Sequence, residues 1–249
     1  LPFIQATNLF LVKERGANRP PGRMRRWFRD LRVSRKLTVV ILVHLLHATV
    51  LLAVTAYGMQ ALSASRAYVE GEGLWSKAEK EATLALLQFA DTGNETHYQA
   101  FWREINVTLG DRMAREEMNK PSPDHDVVAR GFVQGRLSPE DVDNLEWLYR
   151  NFGWEPPIGS AIKIWAQADD NVTILIALAG ELHQARLAAA PQPGRIAALT
   201  ASVRDRDQIL TVLEDDFSRT LGDGARWLTG VVVVGTIALT VLFVGGALL

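Results

Sequence analysis

Two stretches of the chain carry no charged residue and are almost entirely apolar. They cover residues 37–59 and 227–249, 23 residues each. As a helix, each would extend for about 34 Å at 1.5 Å per residue, which is enough to cross the hydrocarbon core of a bilayer. The pattern predicts two transmembrane helices and excludes a simple soluble enzyme.

Between these stretches, apolar residues recur every three or four positions, the spacing of amphipathic helices. Prolines cluster where the helical patterns start or stop, because proline interrupts a helix. The predicted helices comprise a continuation of the first span to about residue 89, then 95–119, 124–135, 142–152 and 158–189, and a last helix that leads into the second span. We therefore predict an all-α fold, a periplasmic antiparallel helical bundle flanked by two transmembrane helices.

The last helix before the second span has the most regular apolar stripe. The alternating three-and-four spacing of a coiled-coil seam is followed by Ile196, Leu199, Val203, Leu210, Leu213 and Phe217. Arg206 is its one polar break. Because such a stripe can pair with a copy of itself, the sequence predicts a homodimer.

Two glycines lie inside the first helical tract, where each costs about 1 kcal/mol relative to Ala. Gly71 and Gly73 flank Glu72, close to Trp75 and Lys77. They suit either a hinge or the close approach of a neighbouring helix. We favour close packing, because it requires no ligand.

The net charge of -1 is a cancellation between two parts of the chain. Residues 1–36 hold ten Lys or Arg against two acidic residues, a net charge of +8. Residues 60–226 hold the other 17 basic and 26 acidic side chains, a net charge of -9. Because basic flanks resist translocation, we expect a cytoplasmic lead (1–36), a first span (37–59), a periplasmic domain (60–226) and a second span (227–249) in a bacterial inner membrane.

The alternative for the first span is a cleaved signal peptide, whose apolar core is normally about 7 to 15 residues long. A 23-residue stretch behind a long basic lead favours an uncleaved anchor, although Ala61-Leu62-Ser63 leaves cleavage open. The chain lacks an initiator Met and stops at the second span, so we expect a fragment of a longer protein. It contains no Cys, so no disulfide supports the outer region.

Several short motifs follow one another in the outer region: Tyr68-Val69-Glu70-Gly71-Glu72-Gly73-Leu74-Trp75, Leu109-Gly110-Asp111-Arg112, Lys120-Pro121, Gly131-Phe132-Val133-Gln134-Gly135-Arg136, Pro139-Glu140-Asp141-Val142-Asp143 and Ala161-Ile162-Lys163-Ile164-Trp165. In this order, over residues 68–183, they resemble a helical extracytoplasmic input domain of proteobacterial membrane-bound sensors. That resemblance implies a sensor region preceding a PAS, diguanylate cyclase, cyclic-di-GMP phosphodiesterase or histidine kinase module. Neither a histidine-kinase phosphoacceptor segment nor a Gly-Gly-Asp-Glu-Phe signature occurs in the chain.

Aromatic and basic residues supply the candidate ligand-binding set, which consists of Trp75, Lys77, Arg112, Arg136 and Trp165. Aromatic walls with a few polar groups suit a small molecule, whereas guanidinium groups suit a carboxylate or phosphate. The alternatives are that the tryptophans belong to the ordinary core, and that the cations form ion pairs at helix ends. The acidic partners that the sequence suggests for such ion pairs are Asp111, Asp141 and Asp143.

His44 and His47 share one face of the first span and suit either haem or metal ligation in a dimer, or hydrogen bonding across a helix interface. The second interpretation is favoured, because the remaining histidines lack metal-ligand spacing. No catalytic motif is found, so neither a cofactor nor a metal is predicted within these residues.

The expected partners are a second copy, the lipid bilayer, and a periplasmic ligand or ligand-binding protein. The basic lead also suits nucleic-acid binding, but its position beside a span favours a juxtamembrane role. The alternative function is a non-sensory membrane tether or assembly protein that uses the bundle for protein contacts.

Overall fold

The computed structural model describes residues 32–248, of which 90% are helical, with no strand among them. Six α-helices follow in chain order: α1 (Val33–Thr92), α2 (Glu95–Met118), α3 (His125–Gln134), α4 (Val142–Phe152), α5 (Pro156–Leu187) and α6 (Pro193–Leu248). A 3-10 turn over Pro139–Asp141 precedes α4. The all-α prediction is confirmed. Most of the predicted basic lead, residues 1–31, lies outside the described residues.

The helix boundaries follow from local chemistry. Gly93 ends α1 with a left-handed backbone at φ 68°, which glycine adopts without steric cost. The Asn94 side chain then accepts a hydrogen bond from the backbone N–H of Thr96 at 3.0 Å and caps α2. Asp124 caps α3 in the same way, through the N–H of Asp126 at 2.9 Å. Because caps and prolines act locally, the predicted boundaries agree with the structure to within about three residues.

Two of the helices are long and apolar enough to span a membrane, as predicted. The most apolar 18-residue windows of α1 and α6 have mean hydropathies of 2.5 and 2.4. These windows are 0% and 6% buried, whereas the core helix of a soluble protein would be mostly buried. Exposed apolar side chains of this kind are consistent with a two-pass membrane protein.

The chain divides into residues 1–50 and 51–249, and the helix packing described below lies within the second unit. Neighbouring long helices run antiparallel there. Glu181 of α5 faces Arg195 of α6, and Asn171 accepts a hydrogen bond from Arg206 further along both helices. Gly58 of α1 approaches Val232 of α6, and a Cβ there would lie 2.7 Å from Val232 Cγ1. A glycine thus permits close contact between the two long helices.

Two hydrophobic clusters form the interior. The first is built by α1, α2, α5 and α6, and its largest fully buried members are Leu86, Phe89, Phe101, Ile105, Leu175, Leu182 and Leu210. The second joins α3, α4 and their neighbours, with Met118, Val128, Phe132, Leu137, Leu145, Tyr149 and Trp165. Each cluster contains residues from helices that are far apart in the sequence.

The apolar stripe of α6 belongs to these clusters rather than to a free surface. Val203 and Leu210 are fully buried in the first cluster, and Phe217 packs against the second. The stripe is therefore not available as a seam for a second copy, and this part of the sequence-based interpretation is wrong. The three-and-four spacing of the stripe marks a helix face that is buried within its own chain.

The glycines inside α1 differ in their surroundings. A Cβ at Gly71 would lie 3.2 Å from Leu137 Cδ1, whereas one at Gly73 would meet no atom within 4 Å. Helix α1 continues through both. Gly71 thus serves close packing, which was the favoured interpretation.

A close contact between backbone atoms joins α2 and α3. A Cβ at Gly131 would lie 2.7 Å from both the Ala114 N and the Gly110 O. Since these are backbone atoms, they cannot move aside as a flexible side chain would.

We expect Gly131→Ala to destabilise the folded chain by about 1 to 3 kcal/mol, because the methyl group overpacks this contact. The matched control is Gly180→Ala, where a Cβ meets nothing within 4 Å and a helix gains up to about 1 kcal/mol. Thermal unfolding in detergent, followed by circular dichroism, should show opposite shifts of the midpoint. Equal midpoints for the two variants would contradict the close contact.

Candidate functional site

A small cavity of about 50 Å³ lies where the two hydrophobic clusters meet, and we call it the aromatic cavity. Trp75 of the first cluster and Trp165 of the second both line it. Its other lining residues include Tyr68, Asp111, Glu214 and Phe217. Helices α1, α2, α5 and α6 all contribute, so the cavity depends on the relative position of the long helices.

Aromatic rings form one wall of the aromatic cavity. The Trp165 ring centroid lies 6.5 Å from that of Tyr68 in an edge-to-face arrangement and 6.4 Å from that of Phe217. The Tyr68 hydroxyl donates a hydrogen bond to the Leu145 carbonyl at 3.0 Å, so it is already engaged. These contacts hold the rings in place without using polar groups of the cavity.

A second cavity of about 30 Å³ shares Tyr68, Trp165 and Phe217 with the first. It also reaches Ala225 and Leu228 of α6, next to the second predicted span. We call it the membrane-proximal cavity. The same aromatic rings therefore border both the aromatic cavity and the cavity next to the second predicted span.

Asp111 places a buried carboxyl group against the aromatic cavity. The residue is 3% exposed, and within residues 32–248 its Oδ1 has no hydrogen-bond partner. Burial, and then the nearby Asp169, raise the pKa of Asp111 well above its ordinary value. A Cβ at Gly135 would overlap Asp111 Oδ1, so glycine at that position makes room for the carboxyl group.

Asp169 is the partner of a buried arginine. Arg115 Nε donates to Asp169 Oδ2 at 2.7 Å and joins α2 to α5. Burial raises the pKa of Asp169 to about 6, although Arg115 opposes that shift. The pair brings a second carboxyl group into the neighbourhood of Asp111.

Lys80 contacts three carboxylates between α1 and α6. Lys80 Nζ lies 2.8 Å from Glu79 Oε2, 3.0 Å from Asp207 Oδ1 and 3.3 Å from Glu214 Oε2. Burial alone would lower the pKa of Lys80, but these carboxylates raise it. Burial, and then the charge of Glu79, raise the pKa of Glu214 to about 7, against the effect of Lys80. The cluster is therefore rich in negative charge, and Glu214 keeps a proton more readily than an exposed glutamate.

Trp75 lines the aromatic cavity with a buried indole ring. The residue is 7% exposed, and its Nε1 has no hydrogen-bond partner among the described residues. Buried indole N–H groups usually find an acceptor. This N–H is enclosed by the protein and is not exposed to the cavity.

The structure brings together two of the five sequence-predicted ligand residues, Trp75 and Trp165. Lys77 is exposed on α1, 3.9 Å from Glu81. Arg112 bonds Glu116 and Thr173, each at 2.7 Å, and links α2 to α5. Neither cation lines the aromatic cavity.

Arg136, the fifth predicted residue, ends α3. Its backbone is left-handed at φ 69°, with N–H bonds from Arg136 to Val133 and from Leu137 to Phe132 that close the helix end. Its guanidinium donates to Glu104 Oε2 at 2.7 Å. Cations were expected to pair at helix ends, and Arg136 does so, but its partner is on α2 rather than among the acids named from the sequence.

Asp111, Glu214 and Lys80 were not selected as site residues from the sequence. The outer region holds 26 acidic residues, so no single carboxyl group stood out by type. One signal was present in α1, where Glu79 and Thr83 follow Trp75 at helical spacing on the buried face. A charged residue in register with a buried tryptophan indicates a polar group inside the fold.

In the first span, His44 contacts the backbone of its own helix. His44 is exposed, and its Nδ1 lies 2.7 Å from the Val40 carbonyl oxygen, one turn earlier in the helix. Among the described residues, no group of three or more His, Cys, Asp or Glu side chains is arranged to hold a metal ion.

Comparisons with known proteins found no matching family model, no matching curated protein and no matching solved structure. The resemblance carried by residues 68–183 stays a prediction. What the site can do is therefore judged from its own residues.

Glu214 should make stability depend on pH. Its folded pKa of about 7 lies above the ordinary value of 4.5, so the unfolded chain releases the proton first and stability falls as pH rises between these values. Glu214→Gln should stabilise the chain at pH 8 by about 1 to 3 kcal/mol relative to its effect at pH 5.

Thermal unfolding of the full chain in detergent at both pH values measures this difference. Glu181→Gln, on the exposed surface of α5, is the control and should change the midpoint equally at pH 5 and pH 8. The same Glu214→Gln effect at both pH values would contradict the proposed linkage.

Proposed function

We propose that this chain is the sensor region of a membrane-bound bacterial signal-transduction protein. In this proposal, residues 60–226 form a periplasmic helical-bundle domain and the basic lead is cytoplasmic. The two membrane helices pass a periplasmic signal to a cytoplasmic output domain, a histidine kinase or a cyclic-di-GMP enzyme. The ordered motifs of residues 68–183 support it.

One observation carries the proposal: two of the helices that line the aromatic cavity, α1 and α6, also enter the predicted membrane spans. Helix α1 runs unbroken over 60 residues and α6 over 56. A helix transmits a shift along its axis because its backbone is hydrogen-bonded throughout. A change of packing at Trp75 or Phe217 is thereby coupled to the membrane ends of both helices.

The charge distribution supports the orientation. The lead carries +8 and the outer region -9, and Lys and Arg beside a span favour the cytoplasmic side. The Lys80 cluster supports transmission, since it fixes α1 to α6 by ionic contacts that depend on their register.

We expect Gly71→Leu to change signalling output, because the added side chain presses on Leu137 and into the aromatic cavity. The chain is fused after residue 249 to the cytoplasmic part of a histidine kinase, in several helical registers, and autophosphorylation is measured in membrane vesicles. Output should change about twofold or more in at least one register. Gly73→Leu, which faces open space, is the matched control.

A membrane tether would give the same kinase activity for the original chain, Gly71→Leu and Gly73→Leu in every register. That outcome, with all three proteins present in the membrane at equal levels, would overturn the sensor proposal.

A homodimer is part of the proposal, and α6 has apolar side chains that its own chain leaves exposed. The α6 face turned away from the core exposes Ile209 (43%) and Val212 (59%). Oxidation of membranes that contain Val212→Cys should yield a crosslinked dimer. Val203→Cys, at a fully buried position, should not. Absence of dimer at both Ile209→Cys and Val212→Cys would contradict this α6 contact.

A further inference from the structure

We propose that the corner between α4 and α5 lies on the membrane surface, with the ring of Trp154 among the lipid headgroups. This α4–α5 corner comprises residues 147–158. The proposal goes beyond the sensor function and does not depend on it. It depends only on the placement of α1 and α6 in a bilayer.

Helix α4 reaches the end of the first predicted span. The ring centroid of Trp147 lies 5.0 Å from that of Tyr57, edge to face, and Tyr57 belongs to the span predicted over residues 37–59. Asp141, just before α4, pairs at 3.5 Å with Arg66, about 13 Å further along α1. Helix α4 therefore runs towards the membrane, and the α4–α5 corner follows at its membrane end.

The other side of the corner packs beside the start of the second predicted span. A Cβ at Gly224 would lie 3.6 Å from Pro157 Cβ. Leu228, at the start of that span, is buried, and it lines the membrane-proximal cavity together with Leu148 and Pro157. Because the corner contacts the outer ends of both predicted spans, it lies at the level where a bilayer would begin.

Trp154 is the large exposed apolar side chain of this corner. It is 75% exposed, whereas Trp75 and Trp165 are buried. Its indole N–H donates to the Asn151 carbonyl at 2.8 Å, so its polar atom is satisfied while its ring is left uncovered. A single exposed apolar residue is ordinary elsewhere on a protein surface. Beside the ends of two spans, a tryptophan is the side chain that the membrane interface favours.

Charged residues of the corner determine its depth. Arg150 is exposed, and Glu155 is half-buried. Charged groups are costly in hydrocarbon, whereas among headgroups a guanidinium group can bond a lipid phosphate. The α4–α5 corner therefore belongs in the headgroup layer rather than in the hydrocarbon core.

Depth measurements on the full chain in phosphatidylcholine vesicles test the proposal. The chain contains no Cys, so a fluorophore can be attached at Trp154→Cys, Leu187→Cys or Ile237→Cys alone. Leu187 is an exposed apolar residue at the opposite end of α5, about 45 Å away, and is the matched control. Ile237 is exposed within the second predicted span and reports on the span itself. The vesicles carry a nitroxide quencher either near the headgroup or near the end of the acyl chain.

The label at Trp154 should be quenched by the headgroup nitroxide about twofold or more compared with the label at Leu187. The label at Ile237 should be quenched most by the nitroxide near the chain end. Equal quenching at Trp154 and Leu187, with Ile237 quenched, would overturn this proposal alone. Absence of quenching at Ile237 would overturn it together with the membrane placement. Kinase activity that Gly71→Leu leaves unchanged would overturn only the sensor proposal.

The native ring has its own test, which uses vesicles that contain brominated lipids. Trp154→Phe should lower the lipid-quenched fraction of the tryptophan emission, because a ring in contact with lipid is lost. Trp102→Phe is the control, since Trp102 packs against the first hydrophobic cluster, and it should leave that fraction unchanged or raise it. An unchanged or higher quenched fraction in Trp154→Phe would show that solvent or a protein contact covers this ring, and would overturn the proposal.

Discussion

The whole structure depends on two helices, α1 and α6, that are long and apolar enough to span a membrane. Backbone groups in hydrocarbon have no water to bond, and a helix satisfies them within its own segment. In this chain the helices do not stop at the predicted membrane boundary. Helix α1 extends to Thr92 and α6 begins at Pro193, so each span continues as a wall of the folded outer region. The most extensive helix pairings among the described residues are those of α5 with α6 and of α2 with α3.

Ionisable side chains are buried between the long helices. The free-energy cost of burying them unpaired restricts how these helices can pack. A buried carboxylate is expensive unless it is paired, and Asp169 meets Arg115 while Glu79 and Glu214 meet Lys80. Such pairs tolerate little sliding, because a displaced helix would leave charges uncompensated. Apolar contacts alone are less selective about register. The Lys80 and Arg115 clusters therefore determine which faces of α1, α2, α5 and α6 meet, and the apolar clusters supply most of the attraction.

The sequence predicted the parts of the fold that depend on neighbouring residues. Prolines, the glycine after α1 and the caps Asn94 and Asp124 mark helix ends, because those effects act within a few positions. Trp75 and Trp165 were found as well, since large aromatic residues are rare and recognisable. The partners of charged side chains were not predictable, because Arg136 reaches Glu104 across 32 positions and Lys80 reaches Asp207 across 127. The α6 stripe shows the same limit: its period identified a buried face but not which helices bury it.

The two cavities lie between the buried side-chain clusters and the second predicted span. The aromatic cavity and the membrane-proximal cavity share Trp165 and Phe217, and the second reaches Leu228 beside the predicted span. A group that fills the first cavity changes the position that these rings can occupy, and the rings also border the second. Since interiors are close-packed, such a displacement cannot be absorbed locally without opening a void. The empty volume beside Ala225 leaves space next to α6, and under the proposed function this space is where a change of packing at the rings would move α6 near its predicted span.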